Sequence, residues 1–364
     1  MDEAITYYNK AILIDKEDSS LLYKRATAYL LKGKNNNALQ DLNIVLEKKP
    51  DLVQARIRRG KIYVGLGKFD AANSDFQQVL QLKPDNEIAL KQIEIIKISE
   101  IHWKEATEYF DKGEYNKAIE KYNTYIELIQ DSIQARYQRA LCYFKNKEFN
   151  LVIDDTMRIL KSQNDNLDAL YLRGTAFLYL GQLEAAINHL REALKFDPDN
   201  SKCKSEFKRI KKLERTMKDA ESNMQNKLYK EAINDLLLAI QLENDNTYFH
   251  NKLYTQLCES YVNTKQSQLA IDSCTKALNL ESNIEAHIWR GEAYLILEQY
   301  DNALRDFQQA NQQDQTNQRA REGYHKAQRL QKMASRKNYY KILGVSKEAS
   351  HSEIKKAFRK LGKI

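Results

Sequence analysis

The residues best equipped for chemistry in this chain are four cysteines, six histidines and two basic runs. Cys142, Cys203, Cys258 and Cys274 could form disulfides or bind metal, but none combines with histidine at zinc-ligand spacing, so no metal site is expected. No G-x-S-x-G elbow, P-loop or glycine-rich dinucleotide fingerprint occurs, so neither an enzyme nor a cofactor is expected. What remains is recognition by charge. From Arg336 to Ile364 the chain has nine Lys/Arg and two Asp/Glu, whereas the other 335 residues carry 49 and 48. The net charge of +8 therefore sits almost wholly at the C-terminal end. A nucleic-acid partner would need basicity spread along the body, and none is expected. The second basic run, Lys202 to Lys218, reads as a solvated helix face, with a phosphate or acidic-partner contact as the alternative.

Helices must position these groups. Only 3 Pro and 11 Gly occur in 364 residues, and Leu, Ala, Lys, Glu and Gln are frequent, which predicts an all-α chain. No run approaches the roughly 18 apolar residues of a membrane-spanning helix, so no membrane insertion is expected. A period is visible in the small residues. Ala4, Ala38, Ala72, Ala118, Val152, Ala186, Ala232, Ala270 and Ala303 are spaced 34, 34, 46, 34, 34, 46, 38 and 33 apart, each inside a segment of the form (Y/F)xxAIxxΦxxAΦxΦxP with Φ apolar. A second small set, Ala26, Gly60, Ala106, Ala140, Gly174, Ala220, Cys258 and Gly291, lies where the partner helix would cross. Gly33, Gly67, Gly113 and Gly181 suit the left-handed turn between the two helices, and Pro50, Pro84 and Pro198 fall just past the second helix.

Over about residues 1–317 these motifs resemble the tetratricopeptide-repeat (TPR) family. The resemblance implies a superhelical solenoid of nine helical hairpins, and the two 46-residue intervals group them into three triplets. The boundaries drawn are 1–85 for TPR subdomain I, 86–103 for a linker and capping helix, 104–199 for subdomain II, 200–217 for a second linker helix, 218–335 for subdomain III with its capping helix, and 336–364 for a partial J domain. Met1 falls inside the first repeat, so the first helix is missing and an N-terminal truncation is expected, together with loss of any signal peptide. In this frame Cys258 and Cys274 occupy repeat positions 8 and 24, which face each other across one hairpin. A disulfide is expected there, and two small buried core residues are the alternative. The groove positions of the later triplets, among them Trp103, Asp168, Glu221, Glu285 and Trp289, lack the Lys and Asn pattern that grips acidic chaperone tails. Those of the first triplet, Tyr23, Leu30, Leu31, Ile57 and Val64, are expected to form an apolar client-binding surface edged by Lys24, Arg58 and Lys61, with packing against neighbouring helices as the alternative.

Asn338 to Val345 reads NYYKILGV, and Ala349 to Leu361 reads ASHSEIKKAFRKL. Both resemble the first helices of a DnaJ-type J domain. Ser350 and Glu353 predict a capping box that starts the second helix. The resemblance implies that Lys355, Lys356, Arg359 and Lys360 contact a DnaK-type chaperone ATPase. The His-Pro-Asp tripeptide that stimulates hydrolysis does not occur before Ile364, so stimulation by this chain is not expected. TPR triplets followed by a J domain resemble the DnaJ subfamily C co-chaperones of the endoplasmic reticulum, of the protein-kinase-inhibitor type. That implies an ER-luminal co-chaperone that holds unfolded or misfolded client proteins, works with the luminal DnaK-type chaperone, and has a kinase as a further candidate partner. The alternative is a cytoplasmic TPR adaptor without client holding.

Overall fold

The computed structural model describes residues 2–15, 18–243, 245–335, 339–346 and 348–362, and among these the chain is helical without a strand. Helix α1 (Asp2–Ile14) precedes eight helix–turn–helix pairs: α2 (Ser19–Leu31) and α3 (Asn35–Lys48), α4 (Val53–Gly65) and α5 (Phe69–Leu82), α6 (Glu87–Asp111) and α7 (Tyr115–Leu128), α8 (Ile133–Lys145) and α9 (Phe149–Ser162). The series continues with α10 (Leu167–Tyr179) and α11 (Leu183–Phe196), α12 (Ser201–Gln225) and α13 (Tyr229–Leu242), α14 (Thr247–Asn263) and α15 (Ser267–Leu280), α16 (Ile284–Ile296) and α17 (Tyr300–Gln313). Then come α18 (Gln318–Ser335), α19 (Tyr339–Leu343) and α20 (His351–Leu361). The chain forms two compact units, Met1–Leu178 with Asn188–Asp199, and Tyr179–Ile187 with Asn200–Ile364.

Small residues at the crossings set the helix spacing. Ala26, Ala106, Ala140 and Ala220 are fully buried. A Cβ on Gly60 would stand 2.7 Å from Phe76 Cζ, and one on Gly291 would stand 2.9 Å from Phe307 Cζ. In both pairs the ring fills the space that the missing side chain leaves, so the two helix axes approach closely. The turns are equally regular. Gly33, Gly67, Gly113 and Gly181 have φ of +69° to +77°. The same turn site in four other repeats holds Lys147, Lys227, Lys265 and Glu298 at φ of 60° to 62°, where a side chain costs roughly 1–2 kcal/mol.

Each 12-residue insertion merges with the next first helix to give one 25-residue helix, α6 and α12. Asn86 and Asn200 cap them, each side chain accepting a hydrogen bond of 3.0 Å from the backbone N–H of Ala89 and Cys203 respectively. In the first unit, Phe76, Ile96 and Tyr122 anchor a continuous core across α5, α6 and α7. In the second, Ile288, Phe307 and Ala320 do the same for α16, α17 and α18.

Candidate functional site

Helix α2 carries three of the five apolar residues assigned to the first groove. Leu31 is 70% exposed, while Tyr23 and Leu30 are half-buried. Tyr23 is held by Arg58, whose Nε donates to the phenol oxygen at 2.8 Å and whose guanidinium lies 5.5 Å from the ring centroid. The other two, Ile57 and Val64 of α4, are only 4% and 6% exposed, which corrects the expectation that they line an open surface. Helix α4 touches the long helix α6, and both side chains join the core that contains Ile96 and Ala106 of α6. A client could reach them only by opening that packing.

Cys258 and Cys274 form a disulfide across α14 and α15, with their Cα atoms 5.3 Å apart. Cys142 is a buried thiol whose pKa is pushed up to about 12 by desolvation, which makes it a poor nucleophile. Cys203 is also buried. Among the described residues no cluster of three His, Cys, Asp or Glu could hold a metal ion, and no helix is long and apolar enough to cross a membrane.

Reading the sequence missed a recurrent ion pair. Arg25 and Asp41, Arg59 and Asp75, Arg139 and Asp155, and Arg290 and Asp306 are each sixteen residues apart, one on each helix of a hairpin. In every case arginine Nε and Nη2 donate to the two carboxylate oxygens at 2.6–2.8 Å. Nη1 then donates to the preceding repeat, to Asn9, Asn43, Asn123 and Thr275 in turn. One guanidinium thus fixes a hairpin and ties it to its neighbour. Hydrogen bonding to Asp41 and Asp75 holds Arg25 and Arg59 above the ordinary arginine pKa. At Arg139 and Arg290 burial, the largest influence, pulls downward, and the aspartate's hydrogen bonds and charge outweigh it. The spacing was visible four times, but only hairpin geometry gives it meaning.

At the C-terminal end Ser350 and Glu353 form the capping box: the hydroxyl accepts from Glu353 N–H, and the Glu353 carboxylate accepts from Ser350 N–H at 2.7 Å. These bonds hold the Glu353 pKa below the ordinary carboxylate value. Lys355, Lys356, Arg359 and Lys360 of α20 are all exposed, and none forms an ion pair among the described residues. Asn338, the first residue of the C-terminal motif, lies outside the described residues, as does Lys363. In the other basic run Arg209 pairs with Glu206 at 2.6 Å and Lys218 with Glu214 at 2.9 Å, while Lys204, Lys208, Lys211 and Lys212 are exposed.

Comparison with known proteins agrees with this geometry. The family model for the DnaJ domain matches residues 338–363, that for the tetratricopeptide repeat matches 53–86 and 284–317, and that for anaphase-promoting complex, cyclosome, subunit 3 matches 111–193. The chain is 34% identical over 363 residues to human DnaJ homolog subfamily C member 3, covering 99% of this chain and 72% of that protein. It is 30% identical to the tetratricopeptide repeat and J domain-containing co-chaperone DNJ1 of Cryptococcus neoformans, covering 98% of this chain and 74% of the relative. The crystal structure of the P58(IPK) TPR domain superposes with a TM-score of 0.70 at 30% identity, covering 92% of this chain and 94% of that one.

Proposed function

The chain belongs to the TPR-containing DnaJ subfamily C co-chaperones, and from that premise we propose that it holds unfolded client proteins on its first repeats and meets a DnaK-type ATPase through α20. The observation that carries this reading is the pairing, on one chain, of the open apolar edge at Leu31 with an exposed basic helix whose four cations form no ion pair among the described residues. An extended apolar segment gains by covering Leu31, Leu30 and Tyr23, because each Å² removed from water is worth about 25 cal/mol. Lys355, Lys356, Arg359 and Lys360 suit an acidic surface, where charge steers encounter. The disulfide of Cys258 and Cys274 supports an oxidising compartment, and with the family membership it favours the ER lumen. The grouping into three triplets belongs to the same proposal, since α6 and α12 give each following triplet an extended first helix.

Aggregation of a chemically denatured client, followed by light scattering, tests the first half. L30D/L31D should need at least fivefold more protein for equal suppression. Undiminished suppression by the folded variant would refute the groove. For the second half, K355E/R359E should weaken binding to an ATP-loaded DnaK-type chaperone at least tenfold. Unchanged binding would remove α20 from the contact.

A further inference from the structure

In the second unit the same groove positions carry a different chemistry. Glu221 of α12, Glu259 of α14, and Glu285 and Glu292 of α16 stand against Lys252 and Arg319, with Lys218, already bound to Glu214, near Glu221. Lys252 is taken by Glu221 at 2.8 Å. Arg319, the second residue of α18, is seated on the face of Trp289 with its guanidinium carbon 4.4 Å from the ring centroid. Its Nη1 reaches Glu285 at 2.8 Å and its Nη2 reaches Glu292 at 3.1 Å. The carboxylates alone would make an acidic patch. The guanidinium on the indole is a flat cation stacked on one face and bonded at its edge by two glutamates.

Beside this cage lies an open cavity of about 380 Å³, lined by Lys252, Gln256, Glu259, Glu285 and Trp289 among others. Glu259 is half-buried there, and its carboxylate has no ion-pair partner among the described residues. Burial raises its pKa, Arg319 opposes that, and Glu285 and Glu292 add to it. Arg319 itself is 44% exposed at its side chain, so water reaches it.

We propose that this groove recognises arginine side chains on an extended segment of a partner protein, and that Arg319 is an internal occupant which such an arginine displaces. Lysine fits less well, because an ammonium cannot stack on Trp289 while donating in plane to two carboxylates. The assignment is independent of the apolar edge at Leu31, which has the opposite chemistry and lies in the other unit.

The chain has two tryptophans, so W103F in the full chain leaves Trp289 as the fluorescent reporter. Titration with a capped tetra-arginine peptide should give a saturable change that weakens with salt. R319A should bind at least fivefold tighter. R329A removes an exposed charge from the same helix and should change affinity less than twofold. E259Q should weaken binding at least fivefold. No saturable signal in either the parent or R319A would overturn the proposal, as would equal affinities for R319A and R329A. Capped tetralysine binding as tightly as tetra-arginine would overturn the arginine assignment.

Discussion

Two neighbouring hairpins solve one problem by different chemistry. In α16 and α17, Arg290 and Asp306 bridge the helices by two charged hydrogen bonds across a sixteen-residue interval. In α14 and α15, Cys258 and Cys274 bridge them covalently across the same interval. One position earlier in that second hairpin, where the ion pair would stand, are Leu257 and Ser273. Each hairpin therefore has one cross-link at this level, and only its kind differs. The ion pair must offset the desolvation of both partners, so it is fragile to loss of either. The disulfide acts mainly on the unfolded chain and is fragile to reductant.

The largest effect is expected on the ionic side. Asp306 is 4% exposed and accepts from Arg290 Nε and Nη2, with His287 Nδ1 a further 2.9 Å from its Oδ1. D306A leaves a half-buried guanidinium without its anion and should cost about 3–5 kcal/mol in this hairpin. Hydrogen exchange of the α16 and α17 amides is the appropriate readout, since a chain with two units need not unfold in one transition. R290M/D306L should recover most of the loss, because an apolar pair carries no desolvation cost. If the double variant is as weak as D306A, the comparison fails and the aspartate serves some other contact.

On the covalent side, reduction should lower protection in α14 and α15 by about 3 kcal/mol, the chain-entropy value for a loop of this length. C258A/C274A should behave as the reduced protein does. Protection that survives reduction unchanged would mean that the surrounding core alone holds the hairpin.

The two kinds of cross-link were not equally legible. The disulfide could be read because two rare residues fell on facing positions of a recognised period. The ion pairs could not, because Arg and Asp are common, and sixteen residues means nothing until a hairpin brings Arg59 to Asp75. The period itself was legible because small residues at Ala26, Gly60 and Ala140 leave no alternative packing. The groove was only partly so. Tyr23 and Ile57 share one repeat position, yet Ile57 joins the core with α6 residues while Tyr23 is held by Arg58. Which neighbour covers a position is tertiary information. Arg319 on Trp289 spans thirty residues and was invisible for the same reason.

The smallest expected effect concerns a hairpin with neither an Arg–Asp bridge nor a disulfide among the described residues, α10 and α11. Arg173 of α10 takes the usual stance, 5.7 Å from the Phe177 centroid, as Arg139 stands 5.8 Å from Tyr143. Sixteen residues on, however, is His189, stacked on Phe177 at 5.3 Å, and Met157 replaces the asparagine of the preceding repeat. Arg173 Nε is consequently buried without a hydrogen bond among the described residues. Burial lowers the His189 pKa and Arg173 lowers it further, while Glu192, 3.7 Å away, pulls the other way. Its folded pKa lies below its unfolded one, so the unfolded chain binds more protons. The stability this group contributes is full above the ordinary histidine value and is lost as pH falls through the folded pKa. H189D would place a carboxylate where Asp41, Asp75 and Asp155 stand. Protection of α10 and α11 at pH 7 should rise by about 1 kcal/mol, and the loss between pH 7 and pH 5 should disappear. A destabilised H189D would show that the sixteen-residue register alone does not make the bridge, and that the asparagine of the preceding repeat is a necessary third partner.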